Sequence, residues 1–265
     1  MKARLVSLWN WAEIIVIVVI STFLVALIYA LTVPFDRVRR VVGRFFRICG
    51  TMLIHLNPLW STRITYSFRP PKGSGPYIVV ANHQSIADIP ALSFLPWEMK
   101  WLSKEANFKV PGLGWMMRMA GDIPLRRGER ESAQSAMAAC RWYLERGMSV
   151  MIFPEGTRSH DGEIKPFKDG AFRLALETGY PILPIAVAGS RHSIPKNSWI
   201  FSTKCQVRIE VLPPVEVKGM SKDDLPELRD GIRRDISQAF ERLGKSMPVL
   251  QPSSETVPSE VPAEA

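Results

Sequence analysis

The sequence predicts an α/β fold, a mixed and largely parallel sheet covered by helices, with a membrane-anchoring helix near its N-terminal end. Three observations carry this prediction. Apolar runs of strand length alternate with helical stretches, turn-rich Gly and Pro segments or polar residues bound those runs, and residues 14–33 carry no charge. An apolar helix of about 20 residues is long enough to cross a bilayer's hydrocarbon core.

The elements follow in order. Ser21, Thr22, Tyr29 and Thr32 are the only interruptions of the apolar run, and Trp9 and Trp11 stand where an interfacial aromatic belt would sit. Arg37, Arg39, Arg40, Arg44 and Arg47 follow it, against Lys2 and Arg4 before it, so the charge bias puts the body on the cytoplasmic face of the cell membrane. Residues 38–56 mix those arginines with Phe45, Phe46, Ile48, Met52, Leu53 and Ile54. That pattern suits an amphipathic helix on the membrane surface and equally one packed on the body. Strands are expected at 64–68, 77–81, 149–153, 182–188 and 207–212, and helices at 87–94, 129–146, 171–177 and 225–243. The expected organisation is an anchor over 1–58, one domain over 59–246, and a disordered tail over 247–265, where prolines, serines and glutamates have no basic partner.

Composition narrows the function. Lys and Arg number 34 against 25 Asp and Glu, a net charge of +9, which favours an anionic partner such as a phosphate headgroup or membrane surface. Cys49, Cys140 and Cys205 are scattered, and the four histidines form no metal-binding spacing, so neither a disulfide framework nor a zinc site is expected. No cofactor is called for.

Two polar segments leave buried strands directly, where α/β proteins place ligands. The first is Ala81-Asn82-His83-Gln84-Ser85-Ile86-Ala87-Asp88. On a regular helix, positions five apart point roughly 140° away from each other. His83 and Asp88 therefore meet only if His83 sits in the turn before a helix and Asp88 on its first turn, with Ser85 as a candidate cap. A carboxylate on one imidazole nitrogen leaves the other as proton acceptor, which is the His–Asp part of a hydrolase triad without the serine. Such a base would activate a hydroxyl on the substrate itself. The second segment is Phe153-Pro154-Glu155-Gly156-Thr157-Arg158-Ser159, offering an acceptor, a hydroxyl and an arginine whose planar fork suits phosphate. Glu155 is a candidate acceptor for a glycerol hydroxyl. Between them, Gly121 to Gly128 reads as a short extended stretch ending in Arg126 and Arg127, a pair that alone would read as solvated surface charge.

Together these blocks resemble the glycerolipid acyltransferase family. Asn82, His83, Ser85 and Asp88 are similar to its first motif, Gly121 and Arg127 to its second, residues 153–159 to its third without mismatch, and Ile182-Leu183-Pro184-Ile185-Ala186-Val187 to its fourth. The stretch from Lys104 through Gly114 also looks like the family's segment between the first two motifs. The resemblance spans roughly 60–215. It implies that His83 is the catalytic base and Asp88 its partner, with Arg127, Glu155, Gly156, Thr157, Arg158, Arg126 and Lys104 binding the lysophospholipid acceptor. It further implies acyl-CoA or acyl carrier protein as donor and phosphatidic acid as product. Pro124 and Arg126 depart from many relatives, which leaves the acceptor's head group open, a lyso-ornithine lipid among the alternatives. A non-catalytic lipid-binding adaptor and a thioester hydrolase are the rival classes. Nucleic-acid binding would explain the charge but neither motif.

Overall fold

The computed structural model describes residues 2–159, 162–193, 200–201 and 204–247. The strands are β1 (Trp60–Tyr66), β2 (Ile78–Ala81), β3 (Met99–Lys104), β4 (Ile123–Leu125), β5 (Ser149–Ile152), β6 (Ile182–Ala188) and β7 (Cys205–Val211). The helices are α1 (Lys2–Thr32), α2 (Arg40–His55), α3 (Asp88–Leu92), α4 (Leu113–Ala120), α5 (Arg130–Leu144), α6 (Gly170–Thr178) and α7 (Leu225–Lys245). The expected tail lies beyond Met247, outside the described residues.

One seven-stranded sheet runs in the order β1-β7-β6-β2-β5-β3-β4, and only the β6–β7 pair is antiparallel. The strands at its centre are buried on both faces, so β2, β5 and β6 read as continuous apolar runs rather than alternating ones. On one face Ile78, Val80, Val150 and Ile152 pack against α5, α6 and α7 through Cys140, Phe172 and Ile236. On the other, Val79, Met151, Leu183 and Ile185 meet Leu92 of α3 and Ile54 of α2. Each such side chain, fully removed from water, contributes roughly 1.5–3 kcal/mol.

A third cluster joins the N-terminal helices to the body. Val25 of α1, Val42, Phe46 and Cys49 of α2, and Met116, Met117 and Ala120 of α4 bury one another. α2 thus packs one face on the body while Val41, Ile48 and Met52 remain exposed on the other. α1 is the one helix among the described residues long and apolar enough to cross a membrane, and most of its large side chains are exposed, among them Trp9, Ile15, Ile20 and Phe23. It touches the body over much of its length. Phe201 N–H donates to Ser7 Oγ and the Phe201 ring meets Trp11 near one end, Val18 and Thr22 lie against Gly112 in the middle, and Val25 joins the cluster with α4 farther along.

Two elements depart from the expectation. β3 and α4 were not anticipated, because Met99-Lys100-Trp101 places a lysine in the middle of a strand. Lys100 is nonetheless fully buried, donating to Glu98 (3.0 Å) and to the carbonyls of Arg39 and Ala120 (2.9 Å each). Burial pushes the Glu98 carboxyl up and the Lys100 ammonium down, and each charge opposes the other's shift. Beside them a buried Arg47 of α2 pairs with Asp122, whose Oδ1 also accepts the Trp101 N–H at 3.1 Å. Breaking a buried pair by removing one partner is costly, so this polar seam fixes α2 in register on the sheet.

Gly43 lies directly over that seam, and a Cβ there would overlap Glu98 Oε1 and Lys100 Nζ, neither of which has room to withdraw. Gly43→Ala is expected to destabilise the protein by about 1–3 kcal/mol, read as a lower denaturation midpoint in detergent. An unchanged midpoint would mean that α2 is not held by this contact.

Candidate active site

Parallel pairing of β2 with β5 and β6, and of β3 with β4 and β5, puts the exits of all five strands at one edge of the sheet. The expected motifs leave from that edge. At the end of β2 the Asn82 side chain, fully buried, donates to the Val187 carbonyl (2.9 Å) and accepts the Val187 N–H (2.8 Å). This amide acts as one more rung between β2 and β6 and fixes where the chain turns.

His83 follows in that turn, and Asp88 is the first residue of α3, the arrangement that the five-residue spacing requires. Asp88 is completely buried, and its Oδ2 takes three donors: His83 Nδ1 at 2.7 Å, Gln84 N–H at 2.8 Å and Ser85 N–H at 3.0 Å. A carboxylate at Nδ1 selects the tautomer with the proton there, which leaves Nε2 as the acceptor. Nε2 has no hydrogen-bond partner among the described residues, and the side chain keeps 14% of its surface exposed. The ring is also held by its face, stacked on Phe153 at 4.1 Å and 20°. Phe153 in turn lies 6.2 Å from Trp101, over which Arg47 sits at 4.9 Å. Sequence reasoning missed Phe153 and Trp101; an aromatic at the first position after a buried strand was the available signal.

Ser85 does not cap α3. Its Oγ accepts the Ala87 N–H at 3.3 Å and pairs with Ser193 Oγ at 2.8 Å, tying the turn to the segment after β6. The backbone N–H groups at the start of α3, which would be natural donors to an oxyanion, are largely engaged. Gln84 and Ser85 serve Asp88, Ala87 serves Ser85, and Asp88 and Ile89 close turns onto Ser85 and Ile86.

The segment leaving β5 clasps this turn. His83 N–H donates to Glu155 Oε1 at 2.7 Å, Ser159 N–H donates to the His83 carbonyl at 2.9 Å, and Lys165 N–H donates to Glu155 Oε2 at 3.1 Å. Glu155 is 4% exposed, and burial pushes its carboxyl up against the opposing pull of those two amides. Glu155 thus has a structural part beside the expected contact with a substrate hydroxyl: each carboxylate oxygen already holds one main-chain N–H group. Gly156 has a positive φ of 70°, and the Lys168 side chain lies where a Cβ would project.

Arg158 is half-buried in this loop, and Arg127 stands at the rim after β4. Burial and the neighbouring Arg158 charge both hold Arg127 below the usual guanidinium range. Neither arginine pairs with a carboxylate among the described residues. Arg126 differs. It is exposed and forks onto Glu105 (2.9 Å through each of two nitrogens) and Glu129 (3.0 Å), so its charge is already answered. Lys104, the last residue of β3, and Thr157 are exposed at the same edge and make no hydrogen bond to the His83 or Asp88 side chains. No group of three or more His, Cys, Asp or Glu among the described residues could hold a metal ion.

The Acyltransferase family model matches residues 62–188, the span that contains His83, Asp88, Arg127, Glu155 and Arg158. A 1-acyl-sn-glycerol-3-phosphate acyltransferase of human, the alpha form, is 34% identical over 220 residues, covering 80% of this chain and 76% of the relative. The chain belongs to the acyltransferase family. A chloroplastic 1-acyl-sn-glycerol-3-phosphate acyltransferase of Brassica napus is 36% identical over 207 residues, or 78% of this chain and 58% of its own length. The chain thus spans little more than half of that plastid relative. Among solved structures, the 1-acyl-sn-glycerophosphate acyltransferase PlsC of Thermotoga maritima superposes with a TM-score of 0.79 at 29% identity, covering 93% of this chain and 98% of that one. The α/β architecture, apolar N-terminal helix included, is therefore that of a family member over nearly its whole length.

An amide in place of the Glu155 carboxylate offers one acceptor oxygen where two N–H groups need one. Glu155→Gln is expected to lower the unfolding midpoint and turnover together, by about 1–3 kcal/mol in stability. An unchanged midpoint with a raised KM for the acceptor would instead leave Glu155 with substrate contact alone.

Proposed function

We propose that this protein transfers a fatty acyl group from acyl-CoA or acyl carrier protein to the free hydroxyl of 1-acyl-sn-glycerol-3-phosphate, giving phosphatidic acid for phospholipid synthesis. The observation that carries this reading is an imidazole whose Nδ1 is held by a buried carboxylate while Nε2 stays free, beside two arginines without carboxylate partners.

In this reading Nε2 of His83 removes the hydroxyl proton as the oxygen bonds to the thioester carbon. The tetrahedral intermediate collapses, the C–S bond breaks, and the imidazolium returns its proton to the departing thiolate. Asp88 orients the ring and stabilises its protonated form. No acyl-enzyme is needed, because no serine hydroxyl or cysteine thiol among the described residues hydrogen-bonds the His83 imidazole. Arg127 and Arg158 neutralise the acceptor's phosphate, with Lys168 alongside at Gly156. Gly156 and Thr157 shape the loop at its mouth. Lys104 and Arg126 lie farther out, and Arg126 must leave its glutamates before it can serve an anion. A simple lipid-binding adaptor has no use for an oriented base.

The anchor fits the substrates, since acceptor and product both reside in the bilayer. Residues 1–58 form the anchor in this proposal and 59–246 the catalytic domain. The arginines that follow α1 favour the cytoplasmic face. Contact of α1 with the body over much of its length favours a helix immersed in one leaflet, a monotopic attachment, over one that leaves the body to cross the membrane.

His83→Ala should lose transfer by about 100- to 10,000-fold while keeping its fold and membrane association; near-normal turnover would remove the base assignment. Arg158→Ala should mainly raise the KM for phosphate-bearing acceptors in an assay across a panel of lysolipids. A change confined to the donor's KM, or equal loss on acceptors without a phosphate, would reassign the clamp.

A further inference from the structure

Outside the edge strand β4, between α4 and α5, lies a cleft of about 490 Å³ lined by neither His83 nor Asp88. Arg37 and Arg39, from the connection between α1 and α2, form one side of it with Arg118 of α4, and Trp142 and Tyr143 of α5 form another. That volume is in the range of small-molecule sites.

Its charge is one-sided. Glu105 and Asp122 also line the cleft, but Glu105 is held by the fork of Arg126 and Asp122 by the buried Arg47. Asp36, the other nearby acid, accepts the Val41 N–H at 2.6 Å at the start of α2. Arg39 donates to the Arg118 carbonyl and Arg118 to the Phe108 carbonyl. Those contacts orient the two guanidiniums without cancelling their charge. Arg37 has no hydrogen bond or ion pair with a described residue. Three guanidiniums from two separate segments thus surround a space of ligand size against one carboxylate, Asp36, that no arginine or lysine pairs with among the described residues, an excess of positive charge that an anion relieves.

The surroundings say which anion. Leu31, Val33 and Phe35, just before Arg37, are 65%, 37% and 87% exposed, and Val41 just after it is 51% exposed. Trp115, on the first turn of α4, is 57% exposed. Bulky apolar side chains therefore flank the arginines on both contributing segments, as they do where a protein meets headgroups above acyl chains.

We infer that this cleft is a second anionic site, separate from the catalytic one, which takes the phosphodiester headgroup of an acidic bilayer lipid and fixes how the protein sits on the membrane. The inference rests on the membrane-anchor reading above and adds headgroup selectivity to it.

The test uses the full chain and sedimentation with phosphatidylcholine vesicles, with and without phosphatidylglycerol. Wild type should bind both and bind the acidic vesicles more tightly. Arg37→Gln, which breaks no internal contact, should lose about fivefold of the acidic increment, and Arg37→Gln with Arg118→Gln more. Binding to neutral vesicles, and turnover on a monomeric short-chain lysophosphatidate, should stay unchanged in Arg37→Gln. Failure of wild type to bind neutral vesicles would sink the anchor reading. An intact anchor without a cleft-dependent acidic increment would sink only the site. Equal loss in Arg234→Gln, on the exposed side of α7, would reduce the effect to general charge and overturn the site as well. Titration with soluble dihexanoyl phosphatidylglycerol, inorganic phosphate and coenzyme A separates the sources. Binding of coenzyme A alone, lost in Arg37→Gln, would give the cleft to the acyl donor and overturn the proposal.

Discussion

The parallel alignment of β2 with β5 and β6 is the constraint on which the site depends. Strands that run the same way end at the same edge, so segments far apart in the chain emerge side by side there. His83 and Glu155 are 72 positions apart and still meet through a 2.7 Å hydrogen bond. The pair of hydrogen bonds between Asn82 and Val187 locks that edge at the point where the chain turns outward. Without it, the turn that carries the imidazole would have no fixed origin.

Two buried carboxylates then divide the work. Asp88 gathers the imidazole and two amides of its own turn onto one oxygen, which sets the ring's tautomer and direction. Glu155 reaches from the facing loop to the His83 amide and to Lys165, which sets the position of the turn as a whole. One carboxylate therefore orients the imidazole and the other places it. The stack of His83 on Phe153 closes the remaining freedom, rotation of the ring out of its plane. Such fixed placement is what a single-displacement reaction asks of a protein, because most of its advantage comes from holding two substrates and a base in register.

The same logic extends outward. Arg47 of α2 covers Trp101, which neighbours Phe153, and the Lys100–Glu98 and Arg47–Asp122 pairs fix α2 on the sheet. The helix that exposes Val41, Ile48 and Met52 on one side is thus joined, through contacts of named side chains, to the aromatic that holds the proposed base. In the proposed anchoring, that apolar face and the pocket beside His83 share one rigid support.

Much of this was legible in the chain itself. The apolar run at 14–33, the continuous strands flanking the two motifs, and the five-residue offset of His83 and Asp88 depend on local chemistry, and local chemistry is written in order along the sequence. The resemblance of residues 153–159 to a family motif located the second loop. Tertiary structure alone decided the rest. Lys100 reads as a surface residue until the fold closes Glu98 and the carbonyls of Arg39, before α2, and Ala120, at the end of α4, around it, which is why β3 was not foreseen. Glu155 reads only as a substrate acceptor until the fold shows two amides from other segments already on it, and Arg126 as an anion clamp until Glu105 and Glu129 answer its charge. Which polar groups end up free is a question of partners, and the partners are distant in the chain. Composition and spacing name the residues that can do chemistry, while only the packed fold determines which of them remain unengaged and able to do it.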